Sequence, residues 1–207
     1  IAELVGVTDV MKDSSRSVAE KFGVRSYETP MDLLKDVDAV SICTPTSEHL
    51  KVARMAIEQG VHLLVEKPFT GRSETAAELV DLADRQKVTL ASGFIERCNP
   101  IVGNLRSLVA AKRFGDVISI ASRRVSSFPA RIRDVGVIMD LGIHDVDVLR
   151  HVKGSEVRSV YALGGSYNVK TCEDFANLIL EFEDGGLGFI EVNWLTPMKV
   201  RKLSLTC

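Results

Sequence analysis

Short apolar segments alternate with segments of helical periodicity through the first 92 residues, and this alternation constrains the fold more than any other feature of the chain. The apolar segments have the length and composition of buried strands, and the segments between them are long enough for helices. The predicted strands are 4–7, 38–43, 61–65 and 88–92; the predicted helices are 14–22, a short helix capped by Thr29, a helix capped by Thr46 or Ser47 and ended by Gly60, and 73–86. Strands and helices in this order form right-handed βαβ units, so the sequence predicts an α/β domain with a parallel sheet over residues 1–96.

Polar residues follow the ends of these strands, where parallel α/β sheets bind their ligands. Asp9 lies where a dinucleotide-binding fold places the acid that bonds the adenosine ribose, although a turn or capping role explains an aspartate there equally well. The helix after Thr44 and Pro45 offers free N–H groups at its start, which suit an anion or a cofactor amide. For His49, on the first turn of that helix, packing or capping is favoured over chemistry.

Two other strand ends carry charged residues. Lys67, between Glu66 and Pro68, can place a fixed positive charge at the mouth of a cleft, whereas most lysines are solvated surface residues. Glu96 and Arg97 follow the last predicted strand of this half.

A GxGxxG phosphate-binding loop, which dinucleotide-binding folds usually contain, is absent from the sequence. The chain also begins at Ile1 within one strand-like segment and ends at Cys207 within another. Because the ribose-binding acid follows the loop by roughly 20 residues, we expect the first strand and the loop to precede Ile1. The chain is therefore expected to be part of a longer protein.

The second half changes to consecutive strands. Strands predicted at 157–163, 175–182 and 187–195 follow one another without helices, and Asp184-Gly185-Gly186 forms a hairpin turn between the last two. Alternate residues of the last two strands form one face each, from Ala176 to Phe182 and from Gly188 to Trp194. With a helix at 99–113 and a strand at 116–125, the pattern predicts a second, α+β domain over residues 97–207 with an open antiparallel sheet.

The segment 134–147 places Asp140, His144 and Asp147 at positions i, i+4 and i+7. On a helix this spacing brings the three side chains to one face. A carboxylate one turn from an imidazole can fix its tautomer and stabilise its protonated form, as a general base requires. An amphipathic helix that carries these residues by chance explains the spacing about equally well.

Four arginines precede the Asp140 segment within eleven residues: Arg123, Arg124, Arg131 and Arg133. Guanidinium groups bind phosphates bidentately, so the cluster predicts an anion site, with a solvated basic loop as the alternative. Because neighbouring residues of a strand point to opposite faces, at most one of Arg123 and Arg124 can face a cleft.

Composition argues against several classes of function. The formal net charge of -2 argues against nucleic acid and anionic membranes as partners, and no run of 18 apolar residues could span a bilayer. The four cysteines lie far apart, with neither a CxxC pair nor zinc-type spacing. This indicates a reducing, cytoplasmic location without a disulfide framework.

The combination of Thr44-Pro45, Glu66-Lys67-Pro68 and Asp140-x-Gly142-x-His144, in this order, resembles the Gfo/Idh/MocA family of NAD(P)-dependent oxidoreductases. The resemblance covers the whole chain. It implies a Rossmann domain followed by an α+β domain whose open sheet joins subunits into a dimer or tetramer. It also implies that Lys67, Asp140 and His144 are catalytic. The residues implied to bind NAD, or NADP, are Asp9, Thr44, Pro45, His49, Glu66, Lys67, Glu96 and Arg97.

Three further segments, 95–100, 124–137 and 193–197, are similar to the UDP-N-acetylglucosamine 3-dehydrogenase branch of that family. This likeness implies hydride transfer from C3 of a UDP-N-acetylhexosamine to NAD, with Arg124, Arg131 and Arg133 as substrate-binding residues. The alternatives are another sugar or polyol dehydrogenase, such as an inositol-type enzyme, and a non-catalytic NAD-sensing regulator. A metal enzyme is disfavoured because the Asp140 segment offers one histidine and no second ligand cluster.

Overall fold

The computed structural model describes residues 2–129, 135–168 and 170–207. The chain forms two compact units, Ile1–Gly93 and Phe94–Cys207. The boundary between the units follows Gly93, close to the boundary after residue 96 that the sequence predicts.

Unit 1 has the alternating α/β order that the sequence predicts. Its strands pair in parallel, with β3, β4 and β5 adjacent in that order and β1 beside β2. The elements are β1 (Gly6–Val7), α1 (Lys12–Phe22), β2 (Arg25–Ser26), α2 (Pro30–Leu34), β3 (Ala39–Ile42), α3 (Thr46–Glu58), β4 (His62–Val65), α4 (Ser73–Gln86) and β5 (Leu90–Ser92). The Rossmann-type parallel sheet is therefore confirmed.

Small residues allow helix α3 to lie close to this sheet. Ala53, Ala56 and Ile57 are fully buried on one face of the helix, packed in one core with Val65 of β4 and Leu79 of α4. This contact holds the start of α3 next to the carboxyl ends of the strands.

The two predicted helix caps have different outcomes. Thr29 caps α2 as predicted, since its side chain accepts a hydrogen bond from the N–H of Asp32. The cap predicted for α3 is wrong: Pro45 occupies the N-cap position, and neither Thr46 nor Ser47 caps the helix with its side chain. Proline already has a fixed φ that suits an extended residue before a helix, and the first N–H groups of α3 are left without a side-chain cap.

Unit 2 is an α+β domain built on a five-stranded sheet of order β10-β6-β9-β8-β7. Its elements are a 3₁₀ turn (Ile95–Cys98), α5 (Pro100–Ala110), β6 (Ser119–Ser127), a π-helical turn (Ile138–Gly142), α6 (Ile143–Lys153), β7 (Val157–Gly165), β8 (Phe175–Phe182), β9 (Leu187–Asn193) and β10 (Leu195–Thr206). The predicted hairpin joins β8 to β9.

Two details of the sheet differ from the sequence prediction. The sheet is mixed, not purely antiparallel, because β6 and β9 run parallel while the other three pairs are antiparallel. The strand predicted at 187–195 ends at Asn193, whose side-chain oxygen accepts hydrogen bonds from the N–H groups of Leu195 and Thr196. This Asx-type turn redirects the chain into β10.

The core of unit 2 lies between helix α6 and one face of the sheet. The alternating apolar residues of β8 and β9 are buried there, as predicted, against Leu149 and Val152 of α6. Gly188 allows the close approach, because a Cβ on it would lie 3.0 Å from the Leu149 side chain and 3.2 Å from Leu180. The opposite face of the sheet exposes large apolar side chains, among them Tyr161, Ile179 and Phe189.

Candidate active site

Lys67 follows strand β4 and is held at its main chain. The N–H of Lys67 donates to the Glu66 carboxylate at 3.1 Å, and the N–H of Glu66 donates to Ile42 of β3 at 3.0 Å. Gly93, just beyond β5, leaves room for the Glu66 side chain, since a Cβ there would lie 3.1 Å from its carboxylate oxygen. The Lys67–Pro68 peptide bond is cis. The sheet thus positions Glu66 and Lys67 at its carboxyl edge, as predicted.

His49 does not face a cofactor cleft. Its side chain is buried, with a residue exposure of 1%. Its Nδ1 lies 2.9 Å from the Pro68 carbonyl oxygen and 3.3 Å from that of Phe69, while Nε2 lies 2.9 Å from the Thr44 carbonyl oxygen. Both ring nitrogens are occupied by main-chain carbonyls, so the cofactor contact implied for His49 is corrected to a contact between two loops.

The remaining strand-end residues of unit 1 are accessible. Thr44 and Pro45 are exposed at the uncapped start of α3. Asp9 is exposed, and one of its carboxylate oxygens accepts from the N–H of Met11 at 2.8 Å. Asp9 therefore has the turn role that was one of its two predicted roles. Its second carboxylate oxygen is available for the other, a bond to a ribose.

In unit 2 the Asp140 segment is only partly α-helical. Asp140 is buried in the π-helical turn, and His144 lies on the first turn of α6 and is half-buried. The prediction that one regular helix carries all three residues is therefore wrong in detail. The π-helical turn changes the angle around the helix axis between Asp140 and His144. Asp147, the third member of the predicted face, is turned to another partner.

That partner is Arg97. The Arg97 guanidinium binds the buried Asp147 carboxylate in a bidentate manner, with Nε 2.9 and 3.1 Å from its oxygens. The pKa of Arg97 is raised, first by this hydrogen bond and further by the charge of Asp147. Arg97 thus forms an ion pair between the 3₁₀ turn and α6, and the cofactor contact implied for it stays a prediction.

Arg124 and Glu96 belong to a second ion-pair network, which is buried. The Arg124 Nε donates to Asp145 at 2.7 Å, its Nη1 donates to Glu96 at 3.1 Å, and Ser122 donates to the other Asp145 oxygen at 2.5 Å. Arg124 is 8% exposed and Asp145 is 2% exposed. These carboxylates bind the guanidinium that was expected to contact substrate phosphate, and Glu96 is paired with it inside unit 2.

The pKa shifts in this network have opposing causes. Burial alone would lower the pKa of Arg124, but its hydrogen bond and charge interaction with Asp145 outweigh burial and raise it. Burial would raise the pKa of Glu96, but the charge and hydrogen bond of Arg124, together with smaller effects of Asn99 and Arg201, outweigh burial and lower it. Both groups are thereby held in their charged forms.

The arginine cluster is divided as the strand geometry predicts. Arg123 points to the opposite face of β6 from Arg124 and pairs with Glu191 at 2.8 Å. Arg131 and Arg133 lie outside the described residues, so their predicted substrate contacts remain predictions.

The sequence did not reveal the residue that caps the Asp140 segment. Glu173 accepts from the N–H of Ile138 through its side chain at 3.1 Å and from the N–H of Val137 through its carbonyl at 2.9 Å. Gly136 lies against the Glu173 carboxylate, which a larger side chain at this position would have to displace. Glu173 lies far from this segment in the chain, and no local pattern could have identified it.

Comparison with known proteins identifies the family. Residues 1–94 match the model of an oxidoreductase family with an NAD-binding Rossmann fold, and residues 102–207 match the GFO/IDH/MocA C-terminal domain. The chain belongs to the Gfo/Idh/MocA family of oxidoreductases. This confirms the resemblance seen in the motifs, and it makes unit 1 the NAD-binding domain of that family.

The chain is similar to relatives with different substrates. UDP-N-acetylglucosamine 3-dehydrogenase from Acidithiobacillus ferrooxidans is 40% identical over 164 residues, which are 79% of this chain and 51% of the relative. Its solved structure has a TM-score of 0.91 and 34% identity, covering 99% of this chain and 66% of that one. The NAD(+)-dependent scyllo-inositol 2-dehydrogenase from Bacillus subtilis is 30% identical over 208 residues, 95% of this chain and 61% of the relative.

A third similar protein is the WlbA dehydrogenase from Bordetella pertussis, solved in complex with NADH and UDP-GlcNAcA. It has a TM-score of 0.91 and 26% identity, covering 99% of this chain and 63% of that one. The chain thus spans about half to two thirds of the length of these relatives.

The two charged neighbours Arg123 and Arg124 provide a matched test of the buried network. Replacing Arg124 with Met leaves Asp145 buried without its cation, which should cost about 3–5 kcal/mol of unfolding free energy. Replacing Arg123 with Met removes only a solvent-exposed pair and should cost less than about 1 kcal/mol. The single tryptophan, Trp194, lies in the core of unit 2, so urea unfolding followed by its fluorescence measures both variants. Equal losses in the two variants would contradict a structural role for Arg124.

Proposed function

We propose that this protein oxidises a secondary hydroxyl group of a sugar, with NAD as the hydride acceptor. The observation that carries the proposal is the placement of Glu66 and Lys67 at the carboxyl edge of the NAD-binding sheet. Asp140 in the π-helical turn and His144 at the start of α6 supply the acid–base groups that such a reaction needs. The similar proteins whose names state a reaction act on sugars or inositols, which supports a polyhydroxylated substrate.

Each reacting residue has a distinct proposed role. His144 takes the proton of the substrate hydroxyl, and Asp140 orients the imidazole and stabilises its charged form. Lys67 bonds the same oxygen and stabilises its developing negative charge. The chemistry that NAD supplies when bound is acceptance of a hydride from the carbon that bears the hydroxyl.

The strand ends of unit 1 fit a dinucleotide. The first N–H groups of α3 have no side-chain cap, and Thr44 and Pro45 beside them are exposed. The hydroxyl oxygens of Thr8 and Ser92, at the ends of β1 and β5, are buried and have no hydrogen-bond partner among the described residues. The residues of unit 1 that we propose to contact the cofactor are Asp9, Thr44, Pro45, Glu66 and Lys67.

NAD is proposed over NADP because of the charges near Asp9. A carboxylate there accepts from the ribose 2′-OH and repels a 2′-phosphate. Lys12 and Arg16 are the nearby cations that could attract such a phosphate. Lys12 is paired with Glu28 at 3.1 Å, and Arg16 lies 4.0 Å from Asp13, so both charges are balanced locally.

The proposed substrate is a UDP-N-acetylhexosamine, oxidised at C3. Support comes from the 40% identity to UDP-N-acetylglucosamine 3-dehydrogenase and from Arg131 and Arg133 just before the Asp140 segment. The similarity to an inositol dehydrogenase keeps a free polyol as the second candidate. A regulator that binds NAD without turnover is the alternative outside the enzymes.

We further propose that two copies of the chain associate through the outer face of the unit 2 sheet. On this face Tyr161, Ile179 and Phe189 lie directly opposite one another across β7, β8 and β9, and all three are exposed. The face also carries the Arg123–Glu191 pair, and two copies of one surface can match such charges reciprocally. An exposed apolar row with a polar margin is typical of a protein interface.

The proposed location is the cytoplasm. The four cysteines are free, which agrees with a reducing compartment. Among the described residues, no helix is long and apolar enough to cross a membrane, and no group of three or more potential ligands could hold a metal ion.

The catalytic proposal predicts that Lys67→Ala and His144→Ala each lower turnover at least about 10²-fold, because a base or a charge stabiliser is lost. Steady-state kinetics of the full-length protein measure this. Lys51→Ala serves as the control, since Lys51 is an exposed lysine of α3. A correctly folded Lys67 or His144 variant with normal turnover would exclude that residue from the mechanism. A wild type that binds NAD but oxidises no sugar would support the alternative of a non-catalytic, NAD-binding regulator.

The substrate proposal predicts faster turnover with UDP-N-acetylglucosamine than with scyllo- or myo-inositol. Arg131→Ala or Arg133→Ala should raise KM for the UDP-sugar roughly tenfold to a hundredfold, because a charge-assisted bond to phosphate contributes about 1.5–3 kcal/mol. Turnover of a phosphate-free sugar should change little. Arg85→Ala, at an exposed arginine of α4, is the control. If inositol is turned over faster and neither arginine variant changes KM for the UDP-sugar, a free polyol replaces the UDP-sugar as the proposed substrate.

The interface proposal predicts that Phe189→Glu converts an oligomer into smaller species, since two buried carboxylates would oppose each other across the two-fold contact. Sedimentation velocity at micromolar concentration measures the change. Phe22→Glu, which alters an exposed phenylalanine of α1, is the control. A monomeric wild type, or an unchanged assembly in Phe189→Glu, would refute the interface.

A further inference from the structure

One buried imidazole connects the two loops of unit 1 that carry its proposed functional residues. Thr44 and Pro45 lie in the loop after β3, and Lys67 lies in the loop after β4. His49 contacts both loops, with Nε2 2.9 Å from the Thr44 carbonyl oxygen and Nδ1 2.9 Å from that of Pro68. The ring is buried and belongs to the first turns of α3, so its position is fixed by a helix that packs on the sheet.

In the contacts between His49 and the two loops, only the imidazole can donate a hydrogen bond. Main-chain carbonyls only accept hydrogen bonds, and a neutral imidazole donates from one nitrogen at a time. Each ring nitrogen lies 2.9 Å from a carbonyl oxygen of a different loop, so a nitrogen that carries a proton bonds the loop that it faces. The ring also fills the space between the two loops.

Lys67 lies one residue from the carbonyl that His49 contacts. On its other side, the N–H of Lys67 donates to Glu66 at 3.1 Å, and the N–H of Glu66 donates to Ile42. The backbone between the two anchors contains Pro68, whose φ is restricted by its ring. A movement of the Pro68 carbonyl is therefore transmitted to Lys67.

We propose that His49 is a positioning residue, which sets the separation between the cofactor loop at Thr44–Pro45 and the Lys67 loop. This inference rests on the proposed function of Lys67 and of the Thr44 loop. The ring itself touches neither substrate nor cofactor. It acts through Pro68 on the placement of Lys67 and through Thr44 on the cofactor loop.

Two isosteric variants separate the two contacts. An asparagine amide can reach the position of Nδ1, so His49→Asn offers a donor to the Pro68 carbonyl and removes the side-chain contact with the Thr44 carbonyl. A glutamine amide can reach the position of Nε2, so His49→Gln offers a donor to the Thr44 carbonyl and removes the side-chain contact with the Pro68 carbonyl. A general loss of stability would affect both variants alike.

Kinetics of the full-length protein give the first measurement. We expect His49→Gln to lower kcat about tenfold or more with little change in KM for NAD, because a small misplacement of a reacting group is costly. We expect His49→Asn to raise KM for NAD while kcat is largely kept. His62→Gln is the control, since His62 is an exposed histidine of β4 that contacts neither loop. Equal changes of both parameters in both variants would overturn the proposal.

Hydrogen–deuterium exchange without cofactor gives a measurement that does not depend on activity. His49→Gln should speed exchange of the amides in 66–70 but not in 44–48, and His49→Asn should do the reverse. In the wild type, a ring N–H proton of His49 should exchange slowly and be visible by NMR, which requires no variant to fold. Fast exchange of that proton, or uniform exchange changes across unit 1, would overturn the inference. Normal turnover of Lys67→Ala would instead refute the role of Lys67 and leave the loop contact intact.

Discussion

The pairing of Arg124 with Asp145 is the contact on which the geometry of unit 2 depends. Both groups are buried, and each would cost several kcal/mol to remove from water without a partner. Arg124 and Ser122 belong to β6, and Asp145 belongs to α6, so the pair joins the sheet to the helix that carries His144. A slip of the helix by one residue would bury the carboxylate without a cation. The ion pair therefore selects one register of α6.

A second acidic residue of the same helix removes the remaining freedom of rotation. Asp147 lies half a turn further along α6 and binds Arg97 of the 3₁₀ turn in a bidentate manner. Two carboxylates that point to two different elements fix the helix in both translation and rotation. Since His144 directly precedes Asp145, its backbone position follows from the same contacts. A buried ion pair adds little net stability compared with an apolar pair, so its contribution here is best understood as specificity of placement.

The sequence predicted those features that depend on local periodicity. The βαβ order of unit 1, the Thr29 cap and the buried faces of β8 and β9 follow from patterns within a few residues, and the structure contains them. The parallel pairing of β6 with β9 was not predictable, because it joins strands separated by α6, β7 and β8. The aspartate partners of Arg97 and Arg124 were not predictable for the same reason. An arginine that binds a ligand and one that binds a distant aspartate look alike in sequence, and only the fold shows which carboxylate lies opposite.

The two units hold their proposed reacting residues by different physical means, and the difference follows from the backbone that carries each residue. Lys67 lies on a loop, where carbonyls such as that of Pro68 have no helix or sheet partner and need a donor from elsewhere. A buried histidine meets that need and orders the loop at the same time. His144 lies on a helix, whose backbone groups are satisfied internally, so only the rigid-body position of the helix remains to be set. Side-chain ion pairs set it without touching the backbone. An imidazole-to-carbonyl contact in a loop and ion pairs along a helix thus meet one requirement, which is to hold the main chain of a reacting residue in place.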